Sequence, residues 1–313
     1  MTKGTIVVDH LVKTYKDKFT AVNDVSFTVG KGECFAFLGP NGAGKSTTVK
    51  VLTTLSRLTS GSVTISGIDV DEDPEKVRWE IGVVLQDTGL DSNLTARELL
   101  ELQGRIFHLS GKEASFRAEE LLAVVGLTEE ADRTSKKFSG GMKRRLDLAM
   151  TLVHRPGILF LDEPTTGLDP LNRKSIWKEI RRLNREEGTT VFLTTQYLEE
   201  ADELADQIQI ISGGKIVAGG TPAELKQSIG KDVISMQFVS ETEAKKAREV
   251  LNKRDVFLIE NDIRVTEEKA SAALPVILRE LQEFGLEPAA LSVAEPTLDD
   301  VFIQVTGSSE GAS

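Results

Sequence analysis

Gly39-Pro40-Asn41-Gly42-Ala43-Gly44-Lys45-Ser46-Thr47 is the stretch that decides how this chain folds. The apolar run Cys34-Phe35-Ala36-Phe37-Leu38 stands directly before it and reads as a buried strand. Thr48-Val49-Lys50-Val51-Leu52 follows and reads as the first turns of a helix. Strand, glycine-rich loop and helix are the context in which G-x-x-x-x-G-K-[ST] becomes a phosphate cradle. The glycines let the backbone curl until several N–H groups converge on one anion, and the helix N-terminus adds its partial positive charge. Gly39, Asn41, Gly42, Gly44 and Thr47 then form the loop that holds a nucleoside triphosphate. Lys45 reaches the β- and γ-phosphates, and the Ser46 hydroxyl is a Mg²⁺ ligand.

A second stretch answers the first. Ile158-Leu159-Phe160-Leu161-Asp162-Glu163 is a buried strand that ends on two carboxylates. Behind a phosphate loop, Asp162 fits the acid that holds the metal on the phosphates. Glu163, one residue on, is placed to accept a proton from an attacking water. Three other features stay open on their residues alone. Tyr15 is an exposed tyrosine on a strand edge, and Gln86 a glutamine closing the strand from Ile81. Ser139-Gly140-Gly141 is either a loop or the anion-binding start of a helix continuing through Leu146, Ala149, Met150 and Val153.

The chain of 313 residues suggests one large and one smaller domain. With 40% hydrophobic and 28% charged residues it has the composition of an ordinary globular protein. The net charge of −11 argues against the broad basic footprint of a nucleic-acid binder. No apolar run is long enough to span a membrane, and Met1 to Thr5 show no apolar signal region, so secretion is not expected. Cys34 is a lone cysteine in the strand before the loop and reads as a small core residue in a reducing compartment.

Read in order, residues 5–30 give short strands at Thr5–Val8, Ala21–Val22 and Val25–Val29, and Ser62–Ile65 and Ile81–Leu85 give two more. From Thr95 to Val125 the period is helical, opened by the capping box Thr95-Ala96-Arg97-Glu98. A helix over Arg173–Glu187, a buried strand Thr190–Thr195 closing on Gln196, a helix Leu198–Ala205 and a hairpin about Gly213-Gly214 follow. After residue 227 the pattern restarts as strand 233–239, helix 242–252, strands 255–259 and 262–266, helix 269–284 and strand 289–295. That is the βαββαβ order of a ferredoxin-like α+β domain over 228–306. A short helix Leu298–Val305 lies at its end, and 307–313 is expected to be a disordered tail.

The phosphate loop, Gln86, Ser139-Gly140-Gly141, Asp162-Glu163 and Leu168-Asp169 occur in this order, and with them the chain resembles the ATPase subunit of an ATP-binding cassette transporter over residues 5 to about 225. The resemblance implies a RecA-like α/β core with an antiparallel β subdomain and a helical subdomain over about 87–155, within a nucleotide-binding domain of residues 1–227. It implies ATP and Mg²⁺ as ligands, Tyr15 stacking on adenine and Gln86 touching the metal. Ser139, Gly140 and Gly141 are implied to bind the γ-phosphate of ATP held by a second copy. Glu163 becomes the catalytic base, Lys45 and Gln196 its neighbours at the γ-phosphate, and Asp169 a contact across the dimer. The implied partners are that second copy and membrane permease subunits, not nucleic acid, at the cytoplasmic face of a bacterial membrane.

Two departures stand out. The family's Leu-Ser-Gly-Gly-Gln signature here reads Phe138-Ser139-Gly140-Gly141-Met142, and Gln196 takes the place of the usual switch histidine. A glutamine amide can donate a hydrogen bond to phosphate but cannot carry a proton charge. Thr194-Thr195-Gln196-Tyr197-Leu198-Glu199-Glu200-Ala201-Asp202 and the ending Pro296-Thr297-Leu298-Asp299-Asp300-Val301-Phe302 look like the daunorubicin-resistance branch, whose members power drug and antibiotic exporters. Related lipid and polysaccharide exporters share much of this signal. An importer ATPase, or a cassette ATPase working on DNA repair or ribosomes, are further alternatives. The long coiled-coil insertion or second cassette usual in the last group is absent from this sequence.

Overall fold

Strands β1 (Ile6–Thr14) and β2 (Thr20–Val29) pair antiparallel and open the first unit. Both run longer than the alternation of apolar residues predicts, because each carries a bulge. His10 and Asp24 stand in the left-handed region, and the register shifts between Val8 and Leu11. A bulge resets which face a side chain takes, so Val8 and Leu11 are both buried although an alternating pattern would separate them. The same bulge at Asp24 joins the two predicted strands Ala21–Val22 and Val25–Val29 into one.

The chain then enters β3 (Cys34–Leu38), α1 (Lys45–Leu52), β4 (Ser60–Ile65), β5 (Ile68–Asp69), α2 (Pro74–Glu80) and β6 (Ile81–Val84). Helix α2 escapes the sequence reading because it is only seven residues long and buries Val77 alone. Its start is nonetheless well marked, with Pro74 at the first position and the Asp73 carboxylate accepting from the Lys76 N–H at 3.3 Å. Helices α3 (Ala96–Ile106), α4 (Gly111–Val124) and α5 (Gly140–Thr151) pack on one another as the expected helical subdomain. Both α3 and α4 begin with a reciprocal capping box, at Thr95 with Glu98 and at Ser110 with Glu113. The unit closes with β7 (Ile158–Asp162), α6 (Pro170–Arg185), β8 (Thr190–Thr195), α7 (Leu198–Leu204), β9 (Gln207–Ser212) and β10 (Lys215–Gly220).

The main sheet has the order β10-β9-β3-β8-β7-β6, and β9, β3, β8, β7 and β6 run parallel to their neighbours. Strands β3, β7 and β8 are buried along their whole length, as strands covered on both faces must be. A second sheet, β2-β1-β4-β5, packs its apolar side against the first. Phe27 bridges them, its ring centroid 5.1 Å from Phe35 and 5.8 Å from Phe192. Burial pushes the Cys34 thiol up to about 12, which leaves it an inert core residue.

The computed structural model describes residues 5–86, 89–229, 232–294 and 296–310. Asp87 and Thr88, the first residues of the expected helical subdomain, lie outside them. The chain divides into two units between Gly219 and Gly220, not after residue 227. The reason is α8 (Pro222–Ile229), which packs on the last helix of the second unit. That unit continues with β11 (Asp232–Gln237), α9 (Glu241–Val250), β12 (Val256–Ile259), β13 (Asp262–Glu267), α10 (Ala270–Gln282), β14 (Ala290–Ala294) and α11 (Leu298–Glu310). Its sheet is antiparallel with the order β12-β13-β11-β14, the ferredoxin-like arrangement the sequence predicts. Ile234, Met236, Ile263, Val265, Ile277 and Leu281 fill its core. Helix α11 reaches Glu310, so residues 307–310 are helical where the polar composition predicts disorder; residues 311–313 lie outside the described ones. Once a helix is nucleated, each added residue closes another bond, and a polar composition alone does not stop it.

Candidate active site

In a sheet of this kind, ligands are held beyond the carboxyl ends of the parallel strands. Here the order β3-β8-β7-β6 sets four such ends side by side. Leu38 is level with Thr195 and Asp162 with Thr194. The phosphate loop, Gln196, the two acids and Gln86 therefore emerge in one row. Asn41, Gly42, Gly44, Lys45, Ser46, Thr47, Gln86, Glu163 and Gln196 line a single cleft of about 570 Å³, joined by Phe19, Ala21 and Thr166.

Gly44 shows why the loop needs glycine. Its φ is +109°, and a Cβ there would stand 2.4 Å from the carbonyl oxygen of Ala21. Gly44 caps α1 with no side-chain bond, which leaves the helix's first N–H groups for a ligand. Lys45 is buried, its Nζ donating to the carbonyls of Gly39 at 2.8 Å and Pro40 at 3.1 Å. The same Nζ lies 3.3 Å from Glu163 Oε1, an ion pair buried at both ends. Ser46 Oγ donates to Asp162 Oδ1 at 3.1 Å, and Thr194 Oγ1 donates to the same oxygen at 2.6 Å.

Glu163 takes a left-handed backbone with φ +51°, a conformation that costs free energy in a non-glycine residue. Contacts on both sides hold it. Its N–H is 3.1 Å from the Thr194 carbonyl and 3.2 Å from Thr194 Oγ1, and Thr166 Oγ1 donates to Glu163 Oε2 at 3.2 Å. From the other side Arg144 of α5 donates to the carbonyls of Asp162, Glu163 and Pro164.

The remaining expected residues stand elsewhere. Gly39 sits beneath the loop, its carbonyl taken by Lys45. Tyr15 is not part of the cleft lining; its hydroxyl lies 3.4 Å from Thr47 Oγ1, and Lys13 Nζ stands 5.3 Å from its ring centre. The exposed ring that does line the cleft is Phe19. Ser139, Gly140, Gly141 and Asp169 are also outside it. Ser139 caps α5, accepting from the Met142 N–H at 3.2 Å. Asp169 caps α6, accepting from the N–H groups of Leu171 and Asn172 at 3.1 Å each, and these bonds, with the Asn172 side chain, hold its carboxyl below the usual range. The two caps are neighbours: a Cβ on Gly141 would stand 2.7 Å from the Asn172 amide oxygen.

Thr194, Thr166, Arg144 and Glu200 were not marked out by the sequence. Glu200 is fully buried, with Thr165 Oγ1 and Trp177 Nε1 each donating to Oε1 at 2.8 Å, and burial raises its carboxyl above the usual range. In sequence it is one half of Glu199-Glu200, which reads as a solvated helix face. Only the helical period set by Ala201 and Leu204, both buried, carried a sign of its position.

A phosphate loop at one strand end, an aligned acid pair at the next-but-one and glutamines on either side define a nucleoside triphosphatase of the ATP-binding cassette class. Residues 22–166 match the family model for ABC transporters, and residues 220–306 match that for the C-terminal domain of DrrA1-3-like ATP-binding proteins. The chain is similar to the daunorubicin resistance ATP-binding protein DrrA2 of Streptomyces coeruleorubidus, 43% identical over 94% of this chain and 92% of that one. The linearmycin resistance ATP-binding protein LnrL of Bacillus subtilis is 37% identical over 96% of this chain and 97% of that protein. Among solved structures, the dimeric post-hydrolysis state of the ATP-binding cassette MJ0796 bound to ADP and Pi covers 69% of this chain at 30% identity and a TM-score of 0.64, with 98% of that chain matched. The chain belongs to this family of ATP-binding cassette transporter ATPase subunits, and it is an ATP hydrolase. Among the described residues no helix is long and apolar enough to cross a membrane.

Proposed function

We propose that this chain is the ATPase subunit of an exporter for drug-like or antibiotic compounds. It works as a pair of copies under a separately encoded membrane permease at the cytoplasmic face of a bacterial membrane. Two relatives are daunorubicin and linearmycin resistance proteins, which supports the export reading. The observation that carries the catalytic reading is the cluster of Lys45, Ser46, Asp162 and Glu163, tied by contacts of 3.1 to 3.3 Å.

ATP enters with its triphosphate against the N–H groups of residues 41–47. Its charge draws Lys45 away from Glu163, which frees the carboxylate to accept a proton from water attacking in line. Lys45 and the Gln196 amide face the γ-phosphate and stabilise charge there. Ser46 Oγ and Asp162 Oδ1 are hard oxygen donors side by side, with the Gln86 amide on the same cleft, a set that suits Mg²⁺ and poorly suits a softer metal. Held there, Mg²⁺ would neutralise phosphate charge. Phe19 and Tyr15 flank the loop end where the nucleotide base would lie, and Phe19 offers the more open face. Ser139, Gly140, Gly141 and Asp169, grouped outside the cleft, are assigned to the partner copy's nucleotide.

The test is Mg²⁺-dependent ATP hydrolysis, together with survival on daunorubicin of cells expressing the chain with its neighbouring permease. Lys45→Ala and Asp162→Asn should each lose both. Hydrolysis lost without any change in survival would leave the ATPase and remove the export assignment.

A further inference from the structure

Arg144 sits among basic neighbours in Lys143-Arg144-Arg145, yet it is only 6% exposed. Its guanidinium is spent on main-chain carbonyls. Nε donates to Pro164 at 2.7 Å, Nη2 to Asp162 and Glu163 at 3.1 Å each, and Nη1 to Leu85. These partners come from two separate places. Asp162, Glu163 and Pro164 surround the residue with the left-handed backbone, and Leu85 immediately precedes Gln86. Arg144 itself rides on α5, about five residues or one and a half turns from its start at Ser139.

One planar, rigid group therefore joins the Ser139 end of α5, the loop that carries Glu163 and the strand end that carries Gln86. A left-handed glutamate persists only where its surroundings over-determine it, and Arg144 and Thr194 are the two sides of that constraint. Lysine could not replace it, because an ammonium is a single point of donation and four carbonyls in a fan need a fork.

We propose that Arg144 is a positioning residue that couples the two ATP sites of the dimer. ATP held by the partner seats the Ser139-Gly140-Gly141 end of α5. Through Arg144 that seating fixes Glu163 and Gln86 in the site of this same copy, so the two sites hydrolyse cooperatively. The inference rests on the proposed assignment of Glu163 as base and of Ser139-Gly140-Gly141 to the partner's nucleotide.

The experiment is steady-state ATP hydrolysis by the full chain with Mg²⁺, over a range of ATP concentrations, for the parent, Arg144→Lys, Arg144→Gln and Glu163→Gln. All are read at a temperature where circular dichroism shows native helix, and Arg144→Lys carries the test should Arg144→Gln not fold. For Arg144→Gln we expect kcat to fall roughly 10- to 100-fold, the scale of a small misplacement of a reacting group, with KM moving less than about threefold. The Hill coefficient should drop from above about 1 in the parent to about 1 in both variants. Arg144→Lys should lie between parent and Arg144→Gln in kcat. Variants that keep the parent's kcat and Hill coefficient, or a parent that shows no cooperativity, overturn the coupling. Undiminished turnover in Glu163→Gln overturns the base assignment instead, and the two failures are thus told apart.

Discussion

Asp147 faces Arg144 across 3.6 Å, too long for the ion pair to offset the loss of water around a buried carboxylate. Burial raises its carboxyl from 3.8 to about 6, with the guanidinium pulling the other way. The folded chain thus keeps this proton up to about pH 6, while the unfolded chain releases it near pH 4. Between those values the native state binds more protons, and its stability falls as pH rises, by ~3 kcal/mol for this one group. Asp147→Asn should therefore be more stable than the parent by up to that amount above pH 6, and no more stable below pH 4. Urea unfolding at a series of pH values measures it, and a constant difference across the range would exclude the carboxyl as its source. In the proposed mechanism Gln196 acts by donating a hydrogen bond. Removing one donor at a developing negative charge costs roughly 100-fold in turnover, so Gln196→Ala should lose about that while Gln196→His retains the parent's rate or better. Parent-like hydrolysis by Gln196→Ala would take the residue out of the site.

Among the elements, β3, β7 and β8 do the positioning, and their rigidity comes from aromatic packing. Phe192 lies within 5.4 Å of the ring centroids of Phe35 and of Phe160, and within 5.9 Å of Phe37. It is fully buried on β8, the strand that carries Thr194. Phe192→Ala should cost about 3–5 kcal/mol of stability, seen as a lower urea midpoint. An unchanged midpoint would mean the cavity collapses without loss. These strands were plain in the sequence because burial on both faces leaves an uninterrupted apolar run ending on polar residues. The bulges of β1 and β2 were hidden because a bulge breaks the very alternation by which strands are read. Arg144 and Glu200 were hidden for a related reason. Charge on a helix reads as a solvated face, and only tertiary packing shows that carbonyls or a tryptophan N–H take it up. The loop residues and the acid pair were legible because their chemistry follows from type and spacing. Tyr15 alone was expected beside the base and Phe19 was not marked out, since which ring faces the cleft depends on the turn between β1 and β2.

For the whole molecule, the ferredoxin-like order of the second unit followed from the spacing of its strands, whereas its boundary depended on which unit α8 packs against. Ser139, Gly140, Gly141 and Asp169 lie together outside the cleft of their own chain, so the account requires a second copy to make each site complete. The measurement that tests this most directly is the mass of the Glu163→Gln chain in solution, by gel filtration with light scattering, with and without Mg²⁺ and ATP, alongside its phosphate release. ATP is expected to convert this variant from one copy to two, with hydrolysis down by roughly 100-fold or more for want of the general base. A variant that stays a single copy with ATP bound, or that releases phosphate at the parent's rate, would contradict it.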